Sequence, residues 1–94
     1  MMIRMIKFKG KKESLPRFAE LSEGTKAASA SMDGLQAAYS VVNENGEGCV
    51  IGVWESLEKA EAAQATSDAI WANLAEHLEG PPEKTDYVHA VQLR

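Results

Sequence analysis

The sequence has few of the residue types from which metal sites and covalent catalytic sites are built. It contains one cysteine, Cys49, which excludes an internal disulfide, and two histidines, His77 and His89. The histidines are 12 positions apart on different predicted elements, so they lack the spacing of a metal-binding pair. Cys49 stands in an apolar strand, which favours a buried thiol over a nucleophile. The sequence therefore predicts neither a metal site nor a bound cofactor.

Long apolar runs and widespread positive charge are also missing. No stretch approaches the roughly 18 apolar residues of a membrane span, and the first residues lack the pattern of a signal peptide. The formal net charge is −4, and the one basic cluster, Lys7 to Lys12, is typical of a solvated loop. Nucleic-acid backbones require clustered lysine and arginine. We therefore expect a cytoplasmic protein that contacts neither nucleic acid nor a membrane.

What the sequence does contain is an alternation of strands and helices within one domain, residues 1–94. Ser14 and Ser56 can each cap a helix, and Thr66 to Asp68 offers a second cap within the later helical region. The predicted elements are a strand at 2–8, a helix from 14, strands at 35–44 and 47–54, a helical region from 56 to 80 and a strand at 85–93. This βαββαβ order predicts a ferredoxin-like α+β fold, a four-stranded antiparallel sheet with both helices on one face.

The pair Asn45-Gly46 lies between two apolar stretches and is a strong hairpin signal. A two-residue turn there pairs Glu44 with Glu47 and places Tyr39 opposite Gly52. A longer loop built from the same residues alters this pairing.

The third strand, 47–54, is apolar on both faces, as is the second strand beside it. Two helices cover only one face of a four-stranded sheet. Exposing the other face forfeits about 1.5–3 kcal/mol for each large apolar side chain that could be buried. We therefore expect a homodimer in which two sheets pack face to face into an α/β barrel.

Three segments carry a resemblance to a known family. They are the opening strand Met2–Phe8, the strand–helix junction Val53–Ser56 and the helical segment Ser67–Trp71, with Gly80-Pro81-Pro82 before a short last strand. On these segments the chain resembles the dimeric α/β-barrel superfamily, and within it the antibiotic-biosynthesis-monooxygenase-like (ABM-like) group. The resemblance covers nearly the whole chain and implies the fold more specifically than the activity.

The haem-degrading branch of this superfamily fits poorly. Its members carry a histidine iron ligand seven positions after a Ser-Asp pair and a tryptophan shortly before that pair. The corresponding positions here are Leu74 and Gln64, with Trp71 and His77 displaced from the pattern. The resemblance therefore disfavours haem degradation.

A cofactor-free oxygenase needs an apolar cleft, a group that accepts the substrate's proton and a donor for the developing oxyanion. His89 and Tyr39 are the candidate catalytic residues, since His89 is a titratable group within a predicted apolar strand. The candidate substrate-binding residues are Trp54, Trp71, Arg4 and Gly52. The aromatic residues and His89 also have a structural interpretation. Trp54 and Trp71 pack in the core, Tyr39 fills the cross-strand gap beside a glycine, and His89 is a satisfied structural histidine.

The resemblance implies a small protein that binds an aromatic or polyketide-like compound and acts as a cofactor-independent monooxygenase. The alternative is a non-catalytic dimeric binding or regulatory protein in which the aromatic residues only pack. Polar groups inside an open pocket favour the first function, and a cleft sealed by Trp54 and Trp71 favours the second.

Overall fold

The computed structural model describes all residues from 1 to 94. It contains four strands and three α-helices, with short 3-10 helices at Lys12–Arg17 and Ala75–His77. The elements are β1 (Met2–Lys9), α1 (Phe18–Ser29), β2 (Leu35–Val42), β3 (Glu47–Trp54), α2 (Leu57–Ala62), α3 (Gln64–Leu74) and β4 (Glu83–Tyr87). The strands form one antiparallel sheet in the order β2-β3-β1-β4. The predicted ferredoxin-like α+β fold is therefore confirmed, and no helix has the length and apolarity that crossing a membrane requires.

The β2–β3 hairpin differs from the predicted one by a single residue. Asn43 rather than Glu44 pairs with Glu47, through a 2.9 Å hydrogen bond from Asn43 N–H to the Glu47 carbonyl. The Asn43 side-chain Oδ1 accepts from the backbone N–H groups of Asn45 and Glu47 at 2.9 and 3.0 Å. Gly46 completes the turn with φ of +87°, which is the geometry of a three-residue loop. The asparagine side chain thus closes a longer loop than the Asn-Gly pair alone indicates.

This shift moves β2 by one position and reverses its faces. Tyr39 lies opposite Ile51, whereas Ala38 lies opposite Gly52. The predicted pairing of Tyr39 with Gly52 is therefore wrong. A one-residue change in register exchanges the side chains of the two faces, because successive residues of a strand point to opposite sides.

Strand β4 is shorter than predicted and ends at Tyr87 rather than Leu93. It pairs only with β1, in a register that sets Tyr87 opposite Ile3. The pairing with β1 ends at Tyr87, so His89 has no partner in the ladder. The residues from Val88 onward lie outside the strand, and Val91 and Leu93 are 80% and 94% exposed.

The helices begin and break at positions that the sequence only partly indicates. Ser56 caps α2 as predicted, accepting from Lys59 N–H at 3.2 Å. The break between α2 and α3 falls at Ala63 instead of Thr66 to Asp68. Ser14 does not cap α1: it lies within a 3-10 turn, where its hydroxyl is 2.9 Å from Nδ1 of His77. That contact ties the segment before α1 to the segment after α3.

The sheet has one face toward the helices and one open face. The helix side carries the buried core residues Met2, Ile6, Phe8 and Trp54, with Ala60 and Leu78 packed from the other layer. The open face carries Ile3, Met5, Ile51 and Val53, along with the exposed Tyr39, Val41 and Tyr87. Cys49 is half-buried on this open face in the single chain. Both faces are apolar, as the sequence indicates.

Candidate functional site

The sheet and the helices enclose a cavity of about 530 Å³. Its floor is the helix side of β1, β2 and β3, and its walls are α1 and α3. Of the 28 residues that line it, 18 are hydrophobic, among them Ile6, Phe18, Leu21, Val50, Ile70 and Leu74. No residue of α1 or α3 is buried, so these helices stand off the sheet. Space for a small apolar molecule follows from this loose packing.

Trp54 and Gly52 shape the floor of the cavity. Trp54 is 6% exposed and packs against Met2 and Ala60. Its Nε1 lies directly over Gly52, because a Cβ built on Gly52 would be 2.9 Å from that nitrogen. Trp54 therefore packs in the core, as its structural interpretation predicts. It also lines the cavity.

Trp71 of α3 lies on the opposite wall. Its ring centroid is 5.8 Å from that of Phe8 and the two rings are inclined at 53°, a favourable tilted arrangement. Phe8 also packs on Phe18 of α1, with centroids 5.9 Å apart. Trp71 remains half-buried and lines the cavity. The two tryptophans thus border an open space and do not seal it.

Arg4 does line the cavity, but its guanidinium is fully engaged within the protein. It forms two hydrogen bonds with the Asp86 carboxylate, at 2.7 and 2.9 Å, and one with Glu61 at 2.9 Å. Its remaining donors reach the Ala60 carbonyl at 3.3 Å and Gln64 Oε1 at 3.1 Å. All five donors of an arginine are thereby used. In this arrangement no donor of Arg4 is free for a substrate, which argues against the predicted substrate-binding role of Arg4.

This network explains two local features. The pKa of Asp86 is lowered, chiefly by the hydrogen bonds it accepts from Arg4, and the pKa of Arg4 is raised by the same contact. The Ala60 carbonyl accepts both from Arg4 and from Ala63 N–H at 3.2 Å. A carbonyl drawn toward a guanidinium at this point accounts for the break between α2 and α3 at Ala63.

The two candidate catalytic residues do not meet in the cavity. The side chain of Tyr39 is on the open face of the sheet and the residue is 63% exposed. His89 is exposed and follows the end of β4. The structure therefore brings Trp54, Gly52 and Trp71 together, with Tyr39 bordering the cavity from the edge strand β2, and leaves His89 outside.

Sequence reasoning missed the cavity's polar lining from β2, α1 and α3. Ser40, Ser67 and Thr25 all line the space. Correct pairing of β2 is the signal that identifies Ser40, since it lies opposite Val50 on the helix side. No three histidine, cysteine, aspartate or glutamate side chains are grouped so as to hold a metal ion.

Comparison with solved structures identifies the fold over the full length of the chain. A candidate antibiotic biosynthesis monooxygenase from Deinococcus radiodurans superimposes with a TM-score of 0.82 at 14% identity, covering 100% of this chain and 97% of that one. SnoaB from Streptomyces nogalater, a cofactor-independent oxygenase, gives a TM-score of 0.80 at 14% identity, covering 98% and 95%. The protein NE2512 of unknown function from Nitrosomonas europaea gives 0.79 at 15% identity, covering 99% and 93%.

No family model and no curated protein matches the sequence itself. With identities this low, the likeness concerns the backbone and not the details of any site. The resemblance inferred from the sequence is confirmed at that level. The chain has the ferredoxin-like α+β fold of the antibiotic biosynthesis monooxygenase structures, from its first strand to its last.

Proposed function

We propose that the cavity binds a small aromatic or polyketide-like compound and that the chain oxygenates this compound without a cofactor. The observation that carries the proposal is the open apolar cavity of about 530 Å³ between sheet and helices. A planar compound of two or three rings fits such a volume. The likeness to SnoaB, itself a cofactor-independent oxygenase, supports the same reaction class.

Oxygenation of an anthrone or a quinol requires few catalytic groups from the protein. The deprotonated substrate supplies the electrons that reduce O₂. For an anthrone, the ring methylene becomes a carbonyl, one oxygen atom enters the product and the other leaves as water. The cavity contributes exclusion of bulk water and orientation of the rings, which are recognised sources of rate enhancement.

Oxygen consumption in the presence of dithranol, a dihydroxyanthrone, tests this function. We expect uptake several-fold faster than in buffer, with one O₂ consumed per dithranol and the anthraquinone as product. Ala38→Trp fills the cavity from β2 and should return the rate to that of buffer. Thr66→Trp, at an exposed position of α3 outside the cavity, is the matched control and should keep the rate. Equal rates with protein and with buffer, across phenols and quinols, would exclude the oxygenase.

A second candidate function is binding without turnover. It is favoured because the cavity lining offers no buried base. The titratable residues of the lining are Arg4, Glu23, Lys26 and Tyr39. Arg4 is fully paired and the other three are exposed, so none is placed as a buried base. Saturable binding of dithranol without accelerated oxidation would identify the chain as a binding or regulatory protein.

We also propose that two copies associate through the open faces of their sheets. Only 11 of the 94 residues are buried in the single chain, a small core for this length. Tyr39, Val41 and Tyr87 are 63%, 51% and 47% exposed on one continuous apolar face. A second copy covers this face with the same residues, as an isologous interface requires.

Light scattering after size exclusion checks the assembly. We expect a mass of twice the 10.2 kDa of one chain. Ile51→Lys places a charge at the centre of the open face and should yield monomers, because burying an unpaired ammonium is costly. Thr66→Lys, on the outer side of α3, should leave the dimer intact. A monomeric wild-type protein would refute the interface.

A further inference from the structure

The cavity opens to solvent on the side between α1 and β2. The exposed residues of its lining all belong to β2, to α1 or to Ala30 directly after α1. The lining residues of α3 are half-buried, and those of β1 are buried. Strand β2 is an edge strand, so no neighbouring strand covers this side of the sheet. A ligand in the cavity therefore has one enclosed end and one end at this mouth.

The mouth carries an unpaired cation, Lys26 of α1. Lys26 is exposed and also lines the cavity, which places it at the mouth. The ion pairs and side-chain hydrogen bonds of the protein all involve other residues. The second cation of the lining, Arg4, is already saturated by its own partners. The ammonium of Lys26 is therefore the one free positive charge that borders the cavity.

Glu23 is the opposing charge at the same mouth, since it too is exposed and lines the cavity. Its position on α1 gives it the smaller influence. The half-buried lining residues of α1 define the helix face toward the cavity; they are Phe18, Leu21, Ser22, Thr25 and Ser29. At 3.6 residues per turn, Lys26 is roughly 80° from the centre of that face and Glu23 is roughly 140° from it. Lys26 is thus the nearer charge for a group at the mouth.

We infer that Lys26 is a specificity-determining residue of the cavity and selects aromatic compounds that carry a carboxylate. An ionised carboxylate is costly to bury without a partner, so it stays at the mouth while the apolar rings enter the enclosed end. The three donors of a lysine on its flexible stem can reach such a group. The chain's net charge of −4 disfavours anions in general, which makes a local cation necessary. The inference rests on the proposed function and adds the ligand's acidic group and its orientation.

Two probes with one ring skeleton, 2-naphthoate and 2-acetylnaphthalene, test the inference. They have nearly the same shape, and at neutral pH only the first carries a charge. Their affinities are measured by calorimetry on the wild type, Lys26→Gln, Glu23→Gln and Lys12→Gln. Glutamine has a helix propensity close to those of lysine and glutamate, so α1 is preserved. Lys12→Gln is the matched control, because it changes the net charge equally at an exposed residue outside the cavity.

We expect Lys26→Gln to weaken 2-naphthoate about two- to fivefold, as for an exposed ion pair, and to leave 2-acetylnaphthalene unchanged. Glu23→Gln should tighten 2-naphthoate by up to about twofold, because it removes a like charge from the mouth. Lys12→Gln should leave both affinities unchanged. Raised ionic strength should weaken 2-naphthoate in the wild type and have little effect in Lys26→Gln.

The other outcomes separate the inference from the function on which it rests. Unchanged 2-naphthoate affinity in Lys26→Gln, or equal losses for both probes, would overturn the inference while leaving a ligand-binding cavity. An equal loss of 2-naphthoate affinity in Lys12→Gln would overturn it as well, since net charge alone would then account for the effect. A wild type that binds only 2-acetylnaphthalene would do the same. Failure of the wild type to bind either probe would overturn the proposed function and the inference together.

Discussion

Asp86→Ala is expected to lower the free energy of unfolding by about 3 kcal/mol. The substitution removes both hydrogen bonds of a bidentate ion pair and leaves a guanidinium that is 4% exposed without its main partner. Denaturant titration measures the loss. Glu61→Ala is the matched control, because Glu61 contacts the same guanidinium but its side chain is 54% exposed. We expect that variant to lose no more than about 1 kcal/mol, and equal losses would contradict the assigned role of Asp86.

The same ion pair predicts how stability depends on pH. Binding to Arg4 lowers the pKa of the Asp86 carboxyl below its ordinary value of 3.8. A carboxyl whose pKa is lower in the folded state stabilises the fold above the unfolded-state pKa, and that contribution disappears as pH falls through the folded-state pKa. The stability difference between wild type and Asp86→Ala should therefore be full at neutral pH and shrink below pH 3.8. A difference that persists unchanged in acid would indicate a packing effect.

Gly46→Ala should also destabilise the protein strongly, by about 2–4 kcal/mol. Gly46 has φ of +87°, and a Cβ there would lie 2.5 Å from the backbone oxygen of Gly10. That oxygen belongs to a segment fixed by the 2.7 Å hydrogen bond from Gly10 N–H to the Gly46 carbonyl. Neither backbone can move without breaking this contact, so the strain is not relieved locally.

Gly24→Ala is the control for this prediction. Gly24 lies within α1, and a Cβ there meets nothing within 4 Å. Alanine in an open helix position should raise stability by about 0.5–1 kcal/mol. Thermal or denaturant unfolding should thus show opposite signs for the two glycine substitutions. Matching signs would mean that the loop accommodates a side chain at residue 46.

The fold was predictable because its signals are local. Strand β3 has the predicted bounds, Glu47–Trp54, and Ser56 caps the following helix as predicted. Hydrophobic alternation and a capping serine act within a few residues, so one sequence reveals them. The hairpin register was missed because the Asn43 side chain, and not the Asn-Gly pair, determines the loop length.

The candidate site was predictable only in part because it depends on distant pairing. Arg4 and Asp86 are 82 positions apart, and only the β1–β4 register brings them together. One signal was present: Arg4 shares the phase of Met2, Ile6 and Phe8, which marks a buried arginine that needs a carboxylate. His89 was misplaced for the same reason, since the extent of β4 depends on its pairing with β1, which ends at Tyr87.

Successive residues of β2 serve two different properties of the protein, which are self-association through the open face and the choice of compound in the cavity. Tyr39 and Val41 lie opposite Ile51 and Cys49 of the open face, whereas Ala38 and Ser40 lie opposite Gly52 and Val50 of the cavity side. Saturation mutagenesis of positions 38 to 41 should therefore give two phenotypes that alternate along the strand. Positions 39 and 41 should mainly alter self-association, and positions 38 and 40 should mainly alter the choice of bound compound; the irregularity between Leu35 and Ala37 ends this alternation. Neighbouring residues on a single strand can in this way be tuned separately, which makes β2 the most economical segment to randomise when redesigning the protein.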